Sequence, residues 1–153
     1  MNKLGIFVGS VYGGAEELAE TLAAKLTSVP VDIFFDSTLD DFMAYDADTV
    51  LIISSTTGQG EIPENLLPLY VALKDQFPLL PKQYYGVIAL GDSSYGEDRF
   101  CGAGRQFDAL LTELNSQSVQ PRLDIDAGVN FEPLEVAEAW FTQFVASAEQ
   151  AAA

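Results

Sequence analysis

The stretch Leu4-Gly5-Ile6-Phe7-Val8-Gly9-Ser10-Val11-Tyr12-Gly13-Gly14-Ala15 decides the fold. Its first half is continuously apolar, as expected of a strand covered on both faces. Its second half is small and glycine-rich and opens into Ala15–Leu26, where Leu18, Leu22 and Leu26 recur at helical spacing. Glu16, Glu17 and Glu20 lie in the first turns, where carboxylates suit the positive end of the helix dipole. A buried strand that turns through glycines into a helix begins a parallel strand–helix–strand unit.

The same pattern continues along the chain. Apolar runs rich in Val, Ile, Phe and Leu fall at Val31–Phe35, Val50–Ile53, Gly86–Leu90 and Val119–Ile125. The first, third and fourth runs of the chain are unbroken. The second and fifth alternate with Asp32, Gln120, Arg122 and Asp124, which places them at the sheet edges. Helical patterns separate the runs at Glu64–Gln76, Arg105–Asn115 and Pro133–Ser147, and Asp36–Asp48 predicts only a short or irregular helix. The fold class is therefore α/β, a doubly wound three-layer sandwich around a five-stranded parallel sheet in order 2-1-3-4-5. One domain is expected over residues 1–148, with a frayed alanine-rich tail at 149–153.

Composition narrows the chemistry. The 153 residues hold 7 Lys plus Arg against 23 Asp plus Glu, a net charge of −16, and no histidine. Catalysis by Ser-His-Asp or Cys-His, a histidine proton shuttle and histidine-containing zinc sites are excluded. The acidity disfavours nucleic acid and anionic membranes as partners. A single cysteine makes no internal disulfide, and no apolar run has the length of a signal core or membrane span, so a cytoplasmic protein is expected.

In such a sheet a ligand sits beyond the carboxyl ends of the strands, where the winding reverses between strands one and three. Three loops rich in Gly, Ser and Thr meet there. The first, Ser10-Val11-Tyr12-Gly13-Gly14-Ala15, offers backbone N–H groups at a helix start, which favour a phosphate. It matches neither the Walker A pattern nor G-x-G-x-x-G, and a tight turn with no ligand is the alternative. Its lack of Lys and Arg suits a permanently seated phosphate ester better than a transferred phosphoryl group. The second loop runs Ser55-Thr56-Thr57-Gly58-Gln59-Gly60-Glu61 after strand three. The third follows Leu90-Gly91-Asp92 and carries Tyr95, Phe100 and Cys101. Its aromatics either stack on a planar ligand or pack against their own loop. Cys101 reads as a structural thiol, with a redox sensor or an intermolecular disulfide as the alternatives.

Taken together these strings resemble flavodoxin. Ser10 to Glu16 is similar to that family's phosphate loop. Ser55 to Pro63 is similar to the middle loop shared with the FMN domains of diflavin reductases, and Leu90 to Tyr95 with Phe100-Cys101 to the loop that holds the isoalloxazine. The resemblance runs from first strand to last helix and is strongest to the short bacterial flavodoxins of the YqcA type, near the MioC group. It implies FMN as cofactor, with residues 10–15 on the phosphate, 56–60 past one face and edge of the ring, and 90–95 on the other face and the pyrimidine edge, Ser55 counting among the cofactor-binding residues. It also implies that Tyr95 is the stacking tyrosine and Gly58 the glycine whose peptide flips toward flavin N5. Tyr12 and Ala15 depart from the family's threonines, Thr57 stands where many relatives have a large side chain, and the third loop is longer, with the charged run Glu97-Asp98-Arg99.

The expectation is a monomeric electron carrier with no catalytic residue and no metal. It would shuttle single electrons between basic redox proteins, namely an NADPH-dependent flavodoxin/ferredoxin reductase and an acceptor enzyme. Glu61, Glu64, Glu97 and Asp98 are candidate docking acids. Two alternatives are an NAD(P)H-dependent quinone or flavin reductase of the same fold and a regulatory FMN-holding module. The absence of Lys and Arg between Leu26 and Leu73 argues against a site for the nicotinamide cofactor's phosphates.

Overall fold

The computed structural model describes residues 1–129 and 132–152. Strand β1 (Leu4–Gly9) is followed by α1 (Gly14–Lys25), β2 (Val31–Phe34), α2 (Leu39–Tyr45), β3 (Thr49–Ser54), α3 (Leu67–Gln76) and β4 (Tyr84–Gly91). Helix α4 (Gly102–Glu113), the short strands β5 (Gln117–Ser118) and β6 (Leu123–Asp126), and α5 (Pro133–Ala152) complete it. All pairings are parallel and the order is β2-β1-β3-β4-β5, with β6 also on β4. The expected architecture and order are both observed.

Side-chain alternation along the central strands builds two cores. Phe7, Val50, Ile52, Tyr85 and Val87 point to one face, where they meet Phe42 of α2, Leu69 and Leu73 of α3 and Phe107 and Leu111 of α4. Ile6, Val8, Leu51, Ile53 and Ile88 point to the other, against Leu18 and Leu22 of α1 and Trp140 and Phe144 of α5. β1 and β3 are buried along their whole length, which is why their sequences read as unbroken apolar runs.

Three expectations need correction. The fifth strand is not the single run Val119–Ile125. Its lane holds Gln117–Ser118 beside Tyr84–Tyr85, then resumes with Leu123 beside Ile88. Pro121 lies in the gap and has no N–H to give the ladder. Its freed carbonyl accepts the Trp140 indole N–H at 2.8 Å. Helix α3 starts at Leu67 rather than Glu64, because Pro68 cannot donate back to the Glu64 carbonyl and so breaks the first turn. Of the tail expected to fray at 149–153, residues 149–152 are helical, with Ala148 buried and the Tyr84 hydroxyl donating to Ala151 O at 3.1 Å, and Ala153 lies outside the described residues. Alanine is the best helix former, so a buried anchor at its base suffices to extend α5.

Candidate cofactor site

The loops after β1, β3 and β4 meet at one rim and enclose a cleft of about 520 Å³. The first loop supplies Val11, Tyr12 and Gly14, and the second Ser55, Thr56, Thr57 and Gly58. The third supplies Leu90, Gly91, Asp92 and Tyr95. Sequence reasoning thus placed most of the lining. It missed Arg99 and Ala127. Ala127 belongs to a fourth loop after β6, where Asp126 Oδ1 accepts the N–H groups of Ser93 (3.1 Å) and Gly128 (2.9 Å). The first of these bonds ties that loop to the third, and hydrogen bonding from Ser93 holds the Asp126 carboxyl below the usual range. The signal available was an Asp-Ala-Gly turn at a strand end.

The first loop begins with an internal clasp. Ser10 Oγ accepts the Gly13 N–H at 2.9 Å, and Gly13 adopts φ 87°, a left-handed conformation that glycine enters without strain. Helix α1 then starts with no side-chain cap. Its first amides have no intrahelical acceptor and point out of the helix mouth. Added Cβ atoms at Gly13, Gly14 and Gly58 would all stand in open space. Ala15 is fully buried at the base of the helix and does not line the cleft.

The second loop is a tight turn. Thr57 N–H donates to Glu61 O (3.0 Å), while Gly60 and Glu61 donate back to Thr57 O (2.8 and 3.1 Å). Gly58 and Gln59 form its tip. Gly60 does not line the cleft but anchors the turn to α4. Gln106 Nε2 donates to Gly60 O at 3.0 Å and to Gly102 O at 3.1 Å, and a Cβ at Gly102 would run into the Gly60 carbonyl. Thr56 Oγ1 accepts the Ala103 N–H at 3.4 Å, filling one vacancy at the start of α4.

In the third loop Asp92 accepts the Ser94 N–H (2.9 Å) and hydroxyl (2.7 Å), capping the short 3-10 turn Ser93–Tyr95. Tyr95 is 62% exposed at the cleft and Tyr12 is 99% exposed across it. Such exposure of large rings is unusual unless something stacks on them. Phe100 lies outside the lining, its ring 5.7 Å from the Arg105 guanidinium carbon. Cys101 also stands behind the wall. It is fully buried, and its thiol lies 3.5 Å from Ala89 O. Burial first and the nearby Asp124 charge second push that thiol up to about 12. The reading of Cys101 as a structural thiol agrees with this placement. Asp124, in β6 beside this wall, is engaged by Arg122 at 2.8 Å.

The Flavodoxin family model matches residues 6–140. The chain belongs to the flavodoxin family. It is 44% identical over 146 residues to flavodoxin YqcA of Escherichia coli K12, covering 94% of this chain and 97% of that protein. To protein MioC of the same organism it is 35% identical over 147 residues, covering 95% and 97%. Among solved structures, the C101S mutant of a flavodoxin from Pseudomonas aeruginosa superposes with a TM-score of 0.87 at 41% identity, covering 96% of this chain and 99% of that one. The short-chain resemblance is thereby supported, and the cofactor of the flavodoxin family is FMN. Flavodoxins are electron carriers rather than enzymes. Among the described residues no cluster of Cys, Asp or Glu could hold a metal ion, and no helix is long and apolar enough to cross a membrane.

Proposed function

We propose that the chain holds FMN non-covalently in this cleft and carries single electrons between a flavoprotein reductase and acceptor redox enzymes. The observation that carries the reading is the uncapped start of α1 opening onto a cleft flanked by exposed tyrosines. The donor set fits the cofactor: neutral amides and hydroxyls suit a phosphate ester that stays seated, and a planar ring fits between loops that present Tyr95, Thr57 and glycine backbone. FMN, when bound, supplies the redox chemistry, and the protein supplies binding, orientation and field.

Each loop has its part. Within residues 10–15, the backbone amides of Val11, Tyr12 and Gly14 and the Ser10 hydroxyl would hold the phosphate. Residues 55–60 would lie along one face and edge of the ring, with open space beside the Gly58 Cα. Residues 90–95 would cover the other face. Cys101, packed behind Gly91, would support this wall from behind, and Phe100 would lie beside the site and not in its lining. No side chain is assigned as acid, base or nucleophile.

The acidic rim sets both potential and partner. Asp36, Glu61 and Glu64 border a second hollow beside the first loop, which shares Val11 and Thr57 with the cleft as lining residues. A carboxylate ~10 Å from the ring at an effective dielectric of ~40 costs an added electron ~0.8 kcal/mol before screening. Several such charges make the reduced protein a strong reductant and steer basic partners toward the flavin end. An NADPH-dependent flavodoxin/ferredoxin reductase and a basic acceptor enzyme fit that field. We read the carrier as a cytoplasmic monomer. The direct check is a visible spectrum of the purified chain with quantified flavin. One FMN per chain is expected, and a chain that stays colourless after incubation with FMN refutes the reading.

A further inference from the structure

Asn65, in the turn before α3, engages its whole amide with backbone from three separate segments. Nδ2 donates to Val8 O at the end of β1 (2.7 Å) and also to Phe35 O just beyond β2. Oδ1 accepts the Ser10 N–H at 3.0 Å. These groups lie where the sheet stops serving them. The β1–β2 ladder ends at Phe7 beside Phe34, so the next carbonyls on both strands need another donor. One planar amide fills that gap and in the same stroke fixes the first residue of the loop that follows.

The consequence reaches the helix mouth. With its N–H held by Asn65, the Ser10 peptide is turned so that its hydroxyl oxygen receives the Gly13 N–H, closing the clasp. Two amides of the loop, Ser10 and Gly13, therefore face inward. Among the described residues those of Val11, Tyr12 and Gly14 have no such protein acceptor, line the cleft and are left to converge on an anion. Without Asn65 the Ser10 N–H would lose its partner, and the loop could rotate to present a different set of donors.

We propose that Asn65 is a positioning residue for the flavin phosphate: it touches no ligand, but sets which amides of Ser10–Ala15 face the helix mouth, and so sets the preference for FMN over unphosphorylated riboflavin. The proposal rests on the reading that this loop seats the phosphate. Its test reads the phosphate alone. The apoprotein, Asn65→Leu and Asn65→Ala are each titrated with FMN and with riboflavin, following the flavin fluorescence. Leucine keeps the shape of asparagine and removes its hydrogen bonds, while alanine controls for any strain that leucine brings.

Wild type is expected to prefer FMN by at least ~100-fold, the worth of several charge-assisted bonds. Both variants are expected to lose at least ~10-fold of that preference while riboflavin affinity stays within ~3-fold, which also certifies the ring site as folded. Proportional weakening of both flavins, including complete loss of both, makes Asn65 a general structural residue and overturns the proposal. So does an unchanged preference in either variant. A wild type that binds riboflavin as tightly as FMN instead refutes the phosphate-loop reading beneath it.

Discussion

The starts of α1 and α2 are built in opposite ways. At α2, Thr38 Oγ1 accepts the Asp41 N–H and the Asp41 carboxylate accepts the Thr38 N–H, both at 3.1 Å, closing a capping box. At α1, Gly13 has no side chain to offer, and the first amides stay open. The contrast extends to the two ends of β4. Near its start Tyr85 is buried and donates to Asp108 Oδ1 at 2.6 Å, while Arg122 spans Asp108 (2.9 Å) and Asp124 (2.8 Å). Beyond its end the rim exposes aromatic rings and open backbone. One region closes its polar groups on itself and serves stability. The other leaves them open, where the proposed function seats the flavin.

Substitutions in each region should move one property and spare the other. The largest effect is expected from Gly13→Asp, which sets a carboxylate at the mouth of α1 in a conformation aspartate tolerates. FMN affinity should fall by ~100-fold or more through charge repulsion, with little change in the melting temperature of the apoprotein. An affinity retained within a few-fold, measured by fluorescence titration, would erase the distinction between the two helix starts. Gly102→Ala should cost ~2 kcal/mol in urea unfolding, because α4 must move off the Gly60 carbonyl. It should also shift the flavin potential by displacing the Gly58 turn.

On the closed side, Thr38→Ala should cost ~1 kcal/mol and leave FMN affinity unchanged. Tyr85 carries a pH signature of the same kind. Burial and the bond to Asp108 push its hydroxyl from 10.0 to about 12. The folded state therefore keeps its proton where the unfolded chain loses it, so this contribution is full below pH 10 and is lost as pH rises through about 12. Thermal melts should fall more shallowly across that window in Tyr85→Phe than in wild type. The smallest expected effect lies at the rim: neutralising Glu61, Glu97 and Asp98 together should raise the lower flavin potential by tens of millivolts at low salt, with no change in melting temperature.

What the sequence made legible divides along similar lines. The buried strands β1, β3 and β4 were legible because burial on both faces leaves an unbroken apolar run, and the sheet order followed from them. The three loops were legible because small residues cluster where backbone must approach a ligand. Asn65 was not, since its meaning lies in contacts with residues 30 to 57 positions away. Nor was Arg99, whose place in the lining depends on how the third loop folds back against Gly60. The break at Pro121 had a local cue in the proline itself, yet the flanking alternation read as one strand.

The central proposal is that the open rim seats the flavin of an electron carrier. It is tested most directly by mixing the FMN-loaded chain with NADPH under anaerobic conditions and following absorbance in the flavin band. The account predicts almost no bleaching with NADPH alone, and rapid bleaching once a catalytic amount of an NADPH-dependent flavodoxin/ferredoxin reductase is added. Rapid bleaching by NADPH alone would contradict it and make the chain a reductase.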